Sequence, residues 1–259
     1  PEDSVEGLWI EDPKIRPALA LRESSRAGRF SKKPIGGKAD GALTSLNLRC
    51  NKISAEGAKS LGDGLILNSI LTSLDLVYNR IGAEGAKSLG DAVKYNTALT
   101  TLNLRGNQIE DDGAKSIGDV LKHNTALTSL NLYSNEIGDD GAKSFGEALK
   151  YNTSLNILKL KNNQITDKGA KSLGKELEYN SILTELNLKW NKIGDEAKKQ
   201  LKQVKEDSLS FRKKTKKNIL MILCQYYFSE KSNLNLLPLE IIHMIIRNVD
   251  TVPHLDIKV

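Results

Sequence analysis

The chain has 259 residues, of which 39% are hydrophobic and 27% are charged, a composition typical of a soluble protein of one or two domains. Lys and Arg number 38 against 32 acidic residues, so the formal net charge of +6 favours acidic partners only weakly. The two cysteines, Cys50 and Cys224, lie in different segments, which argues against a disulfide-stapled secreted domain and predicts a reducing, cytoplasmic location. The longest apolar stretch, within residues 219–228, is too short to cross a bilayer.

Residues 1–42 are predicted to form an N-terminal cap or linker region. Residues 18–22 (ALALR) repeat in weak form the alternation of residues 46–49 (LNLR), which suggests a degenerate capping unit. Residues 33–41 contain one Pro and three Gly, and we expect them to form a loop that leads into the first full repeat.

A 28-residue repeat fills the centre of the chain. Each block resembles LTTLNLRGNQIEDDGAKSIGDVLKHNTA at 99–126, and such a period indicates units that bury their apolar faces by stacking. Five repeats are full, and the sixth lacks the recurring glycine and drifts into a Lys-rich helix, so the solenoid is predicted to span 43–204. The blocks open at Leu43, Leu71, Leu99, Leu127, Leu155 and Leu183.

Two hydrophobic periods meet within each repeat. Residues 102–104 alternate apolar and polar side chains, which predicts a short strand with its leucines inward. A three- and four-residue spacing follows and predicts an amphipathic helix that begins near Gly113, with Asp111 and Asp112 before its N-terminus. The apolar positions of this helix are Ala114, Ile117, Val120 and Leu121.

The pattern LxxLxLxxN, followed by Ile, Gly and a helix at a 28-residue period, resembles the leucine-rich repeat of the ribonuclease-inhibitor type. The resemblance implies an α/β right-handed solenoid, or horseshoe, with a concave parallel β-sheet and convex α-helices. A helical C-terminal cap is expected from the apolar segments that follow the repeats. The cysteine-rich character of ribonuclease inhibitor is absent, so its ribonuclease target is not expected here. The regular Lys- and Asn-rich repeats also resemble those of secreted effectors of intracellular bacteria, which implies action on a host or effector protein in the host cytosol.

Some positions never change between repeats and are expected to serve the architecture. In the resembled family the invariant Asn (51, 79, 107, 135, 163, 191) bonds backbone groups of adjacent repeats. The invariant Gly (57, 85, 113, 141, 169) is expected to permit a tight entry to the helix. The GAKS lysines, at 59, 87, 115, 143 and 171, follow Ala rather than Gly, which argues against a phosphate-binding loop. Most have an acidic residue four positions on, which predicts ion pairs on a solvated helix face.

The residues that vary lie on the outward strand surface, where we expect specificity to reside. One column runs through positions 49, 77, 105, 133, 161 and 189, and the next through 50, 78, 106, 134, 162 and 190. Both columns are expected to be free of architectural roles. Tyr, Trp and Arg are the residue types enriched at binding hot spots. The predicted protein-binding residues are Arg49, Asp75, Val77, Tyr78, Asn103, Arg105, Asn131, Tyr133, Lys159, Lys161, Lys189 and Trp190.

The sequence predicts a non-catalytic scaffold that binds another protein and works as a monomer, without a cofactor, a metal or a small-molecule substrate. Its partner could present an acidic surface, and nucleic acid is not expected. The three histidines, His123, His243 and His254, match neither a catalytic triad nor a metal-ligand spacing. An alternative is a GTPase regulator, because similar repeats occur in activators of the small GTPase Ran, although no site motif matches.

The C-terminal region is divided into a basic linker at 205–217 and a helical segment at 218–259. The run FRKKTKK at 211–217 is consistent with a solvated linker, a nuclear import signal or an acidic-surface contact. Two apolar helices, 218–228 and 239–249, are expected to cover the last repeat. Residues 236–249 also resemble the opening of an F-box, which implies docking to the Skp1 subunit of a ubiquitin ligase, with the repeats selecting substrate.

Overall fold

Short strands alternate with helices along the chain in the computed structural model, which describes residues 43–178, 180–204, 206–207 and 256–258. The helices are α1 Ala55–Leu67, α2 Gly82–Tyr95, α3 Glu110–Leu121, α4 Asp139–Tyr151 and α5 Asp167–Leu177, and residues 195–204 and 206–207 are also helical. The strands are β1 Ser45–Asn47, β2 Ser73–Asp75, β3 Thr101–Asn103, β4 Ser129–Asn131, β5 Ile157–Lys159, β6 Glu185–Asn187 and β7 Asp256–Lys258.

The strands form one parallel sheet in the order β1-β2-β3-β4-β5-β6-β7. Between β1 and β6 each residue pairs with the residue 28 positions further on, as Leu74 does with Leu102. The central leucine of each strand from β1 to β6 is buried beneath helices that pack on their sequence neighbours, because each repeat can shield its apolar face only against the next. The expected α/β leucine-rich-repeat solenoid is confirmed.

The invariant asparagines from Asn79 to Asn191 bond the backbone of adjacent repeats, as the resemblance implied. The Nδ2 of Asn79 donates to the carbonyls of Leu48 and Leu76, both at 2.9 Å. Its Oδ1 accepts from the N–H groups of Asn51 and Ile53 at 3.0 and 2.9 Å. One side chain thus pairs four backbone groups that would otherwise be buried without partners.

A second asparagine ladder, which the sequence analysis missed, holds the segment between each helix and the next strand. The Nδ2 of Asn96 donates to the carbonyls of Leu65 and Asn68, and its Oδ1 accepts from the N–H groups of Ala98 and Leu99. The equivalent positions are Asn68, Asn124, Asn152 and Asn180. Their 28-residue spacing was the available signal.

Helix α3 begins at Glu110, earlier than predicted, and Asp111 lies inside its first turn. Asp111 and Asp112 stand at the N-terminus of the helix as expected. Asp111 also serves the next repeat, where its Oδ1 accepts from the N–H groups of Gly138 and Gly141, both at 2.8 Å. Acidic side chains therefore satisfy the free N–H groups at the start of the neighbouring helix.

Asp139 has the same role in the following repeat. Its carboxylate accepts from the hydroxyl and N–H of Thr166 and from the N–H of Gly169. Burial alone would raise the pKa of Asp139, but these hydrogen bonds and the charge of Lys168 outweigh burial and hold its pKa below the ordinary value.

The invariant glycines at 85, 113, 141 and 169 also pack closely on the previous repeat, a role that the sequence analysis did not predict. Gly113 lies within α3, where an added Cβ would meet Ile109 Cγ2 at 2.6 Å and Ala83 Cα at 3.0 Å. Glycine therefore lets neighbouring repeats approach closely.

The predicted lysine–acid ladder on the helices is mostly absent from the described repeats. Lys143 and Glu147 form a pair at 3.9 Å, whereas Asp119 pairs with Lys122 at 2.9 Å instead of Lys115. Exposed ion pairs of this kind gain little free energy in water, so a three-residue spacing competes easily with a four-residue one.

The C-terminal region adds a strand that the sequence analysis did not predict. Residues 256–258 form β7, although 218–259 was expected to be helical, and Ile257 is buried against the last repeat. The predicted helices at 218–228 and 239–249, the basic run, the F-box-like segment and the N-terminal cap lie outside the described residues. Among the helices that the structure does describe, none has the length and apolar character needed to span a membrane.

Candidate protein-binding surface

The two variable columns follow the strands rather than lying on them. The strands end at positions such as Asn103, so the first column starts two residues later and the second three. Every member of the second column adopts a left-handed backbone, with φ between +53° and +68°. This corrects the expectation that the column is free of architectural roles, because a left-handed residue makes the turn in every repeat. The column comprises Cys50, Tyr78, Gly106, Ser134, Asn162 and Trp190.

Val77 is buried, with 1% of its surface exposed, so its predicted role as a contact residue is wrong. Its short apolar side chain is favoured in the interior. The long charged side chains at the same position in other repeats reach solvent instead.

The predicted site residues at the third strand position also shape the local turn. The side chains of Asp75, Asn103 and Asn131 each accept from the N–H two residues on, at 3.0, 3.4 and 3.1 Å respectively. This is the local bond that Asp and Asn make in turns. Asp75 also lies 3.9 Å from the guanidinium of Arg49. These side chains are therefore partly committed to the fold.

Five predicted site residues from neighbouring repeats come together as alternating rings and cations, a set we call the aromatic–cation ladder. The guanidinium carbon of Arg105 lies 5.0 Å from the ring centroid of Tyr78 and 4.1 Å from that of Tyr133. Lys161 Nζ lies 5.4 Å from the Tyr133 centroid and 3.7 Å from that of Trp190. The ladder thus runs Tyr78, Arg105, Tyr133, Lys161, Trp190.

Further contacts fix the ladder's geometry. Arg105 Nη2 donates to the Tyr78 hydroxyl at 2.6 Å, and the Tyr133 and Trp190 rings meet edge to face at 6.3 Å. Gly106 makes room for Tyr78, because a Cβ at this position would lie 2.5 Å from Tyr78 Cδ1. Cation–π contacts of this kind contribute about 0.5–2 kcal/mol each, so the ladder is ordered before any partner arrives.

The surface around the ladder is basic. Arg49 and Lys189 are exposed and Lys159 is half-buried. The twelve predicted site residues thus contain five cations and one carboxylate, that of Asp75. Within the ladder, Arg105 Nε is buried without a hydrogen-bond partner. The arrangement presents fixed positive charge between flat apolar rings, which suits recognition of carboxylates and apolar side chains.

No metal site is apparent in the part of the chain that the structure describes. No group of three or more His, Cys, Asp or Glu side chains is placed to hold a metal ion there. His123 is exposed just after α3, and His243 and His254 lie outside the described residues.

The sequence analysis missed an ion pair at the sheet edge. Lys258 Nζ lies 2.8 Å from Glu185 Oε1, across β7 and β6. Only the three-residue alternation Asp-Ile-Lys in β7 could have indicated a strand here, and so short a pattern is a weak signal.

Comparisons with known proteins agree with this architecture. A family model described as the TMOD/LMOD leucine-rich domain matches residues 78–165, and one described as a leucine-rich repeat matches 43–62 and 179–197. The chain is a leucine-rich-repeat protein. No curated protein sequence matches it. Neither model specifies the ribonuclease-inhibitor type, a bacterial effector or an F-box, so those resemblances stay predictions.

Solved structures of other proteins are similar to part of this chain. "Leiomodin-1 Actin-Binding Site 2 (ABS2)" is 20% identical, with 66% of this chain and 94% of that one covered and a TM-score of 0.47. A tropomodulin C-terminal domain of Caenorhabditis elegans is 14% identical, with 69% and 92% covered and a TM-score of 0.42. A plant ice-binding protein is 22% identical, with 58% and 42% covered and a TM-score of 0.36. Likenesses of this size carry no functional argument.

Proposed function

We propose that this protein is a non-catalytic scaffold that binds an acidic surface of another protein through the aromatic–cation ladder. The ladder is the observation that carries the proposal. It unites the residue types that dominate protein-binding energy, and it lies on the sheet side, where the repeats vary most.

The ladder has the dimensions of a protein interface. It runs from the turn after β2 to the turn after β6, which at the usual strand spacing is about 19 Å. Its two ends are open to a partner, because Tyr78 is 48% exposed and Trp190 is 66% exposed. With the flanking side chains, a footprint of roughly 800 Å² per partner fits on this face.

The fixed geometry of the ladder also favours high affinity for a partner. Arg105 and Lys161 are already held between rings, so a partner does not have to immobilise two long side chains. Five cations against one carboxylate at the predicted site favour an acidic partner, and the binding should weaken as salt is added.

Removal of the ladder charges tests the proposal. We expect Arg105→Gln with Lys161→Gln to weaken partner binding by about tenfold or more, and to reduce its salt dependence. The variant also loses four cation–π contacts, which should destabilise the fold by at least about 2 kcal/mol and lower the melting temperature by at least about 4–8 °C, so binding is compared at a temperature where both proteins are folded. Tyr133→Ala is a less clean variant, because Tyr133 is half-buried between the two cations and its loss also removes packing.

The matched control is Lys87→Gln with Lys115→Gln, which removes two exposed charges from helices α2 and α3. This control should bind like the wild type. If the control loses binding while the ladder variant keeps it, the partner contacts the helices and the proposal is wrong.

A further inference from the structure

Strand β7 occupies the place of a seventh repeat strand although it belongs to no repeat. It pairs with β6 so that Leu186 lies beside Ile257, an offset of 71 residues, whereas every earlier strand pair has an offset of 28. The edge of β6 therefore accepts a strand that arrives from a distant part of the chain.

The backbone of β7 reproduces the hydrogen bonds between full repeats. Leu188 N donates to Lys258 O at 2.6 Å, just as Leu160 N donates to Asn187 O at 2.8 Å. Asp256 N donates to Thr184 O at 2.5 Å. An extended segment needs only these main-chain bonds and suitable side chains to extend a sheet edge.

The side chains of β7 give the edge its selectivity. Ile257 is 7% exposed and continues the buried leucine column beside Leu186. Lys258 reaches Glu185 at 2.8 Å and Asp256 at 3.4 Å on the outward face. The edge of β6 thus fits an aliphatic residue followed by a basic one, in parallel orientation.

We propose that the edge of β6 is a strand-docking site that binds residues 256–258 of a second copy of this chain, as an exchange of identical strands between two molecules. In the structure the same chain fills the site. Because paired residues of β6 and β7 are 71 positions apart, no short turn joins the two strands. A strand exchanged between two molecules would make the same contacts as those seen within one. Exchange of an identical element is a low-cost route to a dimer, because its balance depends mainly on protein concentration.

Two opposite charge reversals in the full chain test the exchange. Glu185→Lys places two like charges across β6 and β7, and so does Lys258→Glu. In each variant alone, the hydrogen-exchange protection factors of the Leu188 and Asp256 amides should fall about three- to tenfold. When the two variants are mixed, each edge meets an oppositely charged strand from the other copy, and we expect a dimer by light scattering with protection restored.

The double variant Glu185→Lys with Lys258→Glu is the first control, since it restores the pair of opposite charges and should match the wild type both in protection and in its fraction of dimer at the same concentration. The second control mixes Glu185→Lys with Lys189→Glu, which reverses a nearby exposed cation and should not give a dimer. A mixture of the two single variants that stays monomeric and unprotected overturns the exchange. If both single variants keep the protection of the wild type, the Glu185–Lys258 pair does not select the strand that docks on β6, and the proposal is overturned.

Discussion

Replacement of a central asparagine measures how strongly the repeats are coupled. Asn163 Nδ2 donates to the carbonyls of Leu132 and Leu160 at 3.0 and 2.9 Å. Its Oδ1 accepts from the N–H groups of Asn135 and Ile137 at 2.9 and 3.1 Å. Asn163→Ala leaves these four backbone groups without that partner. At about 1–3 kcal/mol for each buried unpaired group, and with some relaxation, we expect a loss of about 3–5 kcal/mol.

The matched control is Asn51→Ala at the start of the same ladder. Asn51 is half-buried, and its side chain makes one local bond, to the carbonyl of Arg49 at 3.0 Å, so its loss should cost less than about 1 kcal/mol. Urea unfolding followed by circular dichroism gives both values, and hydrogen exchange should place the Asn163 effect in the adjacent repeats. Equal losses in the two variants would refute the claim that the asparagine couples neighbouring repeats.

Three substitutions and one deletion test other contacts of the solenoid. Gly113→Ala should cost about 1–3 kcal/mol, because its Cβ would lie 2.6 Å from Ile109 Cγ2 in the same repeat and 3.0 Å from Ala83 Cα in the previous one. Gly90→Ala, whose nearest neighbour would lie 3.6 Å away, should instead gain up to about 1 kcal/mol. A urea titration that ranks the two variants in reverse would be inconsistent with this packing. Because the pKa of Asp139 is lower in the folded state than in the unfolded state, where it is near 4, ionised Asp139 stabilises the fold above about pH 4. This stability is lost as the pH falls through the folded-state pKa. Asp139→Asn should therefore flatten the fall in melting temperature that the wild type shows below about pH 4. Deletion of residues 218–259 removes β7 and should lower the melting temperature, and an unchanged value would rule out a capping role for this segment.

The sequence was sufficient to predict the solenoid because its repeats are nearly identical. The inward leucines fill the same core position in every repeat, and each invariant asparagine from Asn79 to Asn191 donates to a carbonyl of the previous repeat, so one pattern predicts most of these contacts. The recurring glycine was harder to interpret, because a glycine that is the same in every full repeat is expected both at a turn and at a close contact between helices. Only coordinates show that a Cβ at Gly113 would meet the previous repeat.

The sequence predicted which columns of residues form the candidate site, but not which of their side chains meet. The residue types at Arg105, Tyr133 and Trp190 marked the surface, yet their meeting depends on left-handed turns that a column of Cys, Tyr, Ser, Asn and Trp does not reveal. Gly106 alone in that column indicated a positive φ. Strand β7 could not be predicted, because its partner lies 71 residues away and three residues give no usable period.

Photo-cross-linking from two equally exposed aromatic positions tests the central claim most directly. Trp190 ends the ladder and is 66% exposed, and Tyr151 ends helix α4 and is 63% exposed. With benzoylphenylalanine at one position or the other, affinity capture from a lysate of the source organism should give an adduct with one acidic protein from position 190 alone. The adduct should be lost when Arg105 and Lys161 are changed to Gln. An adduct that forms from position 151 and not from 190 would contradict binding through the aromatic–cation ladder.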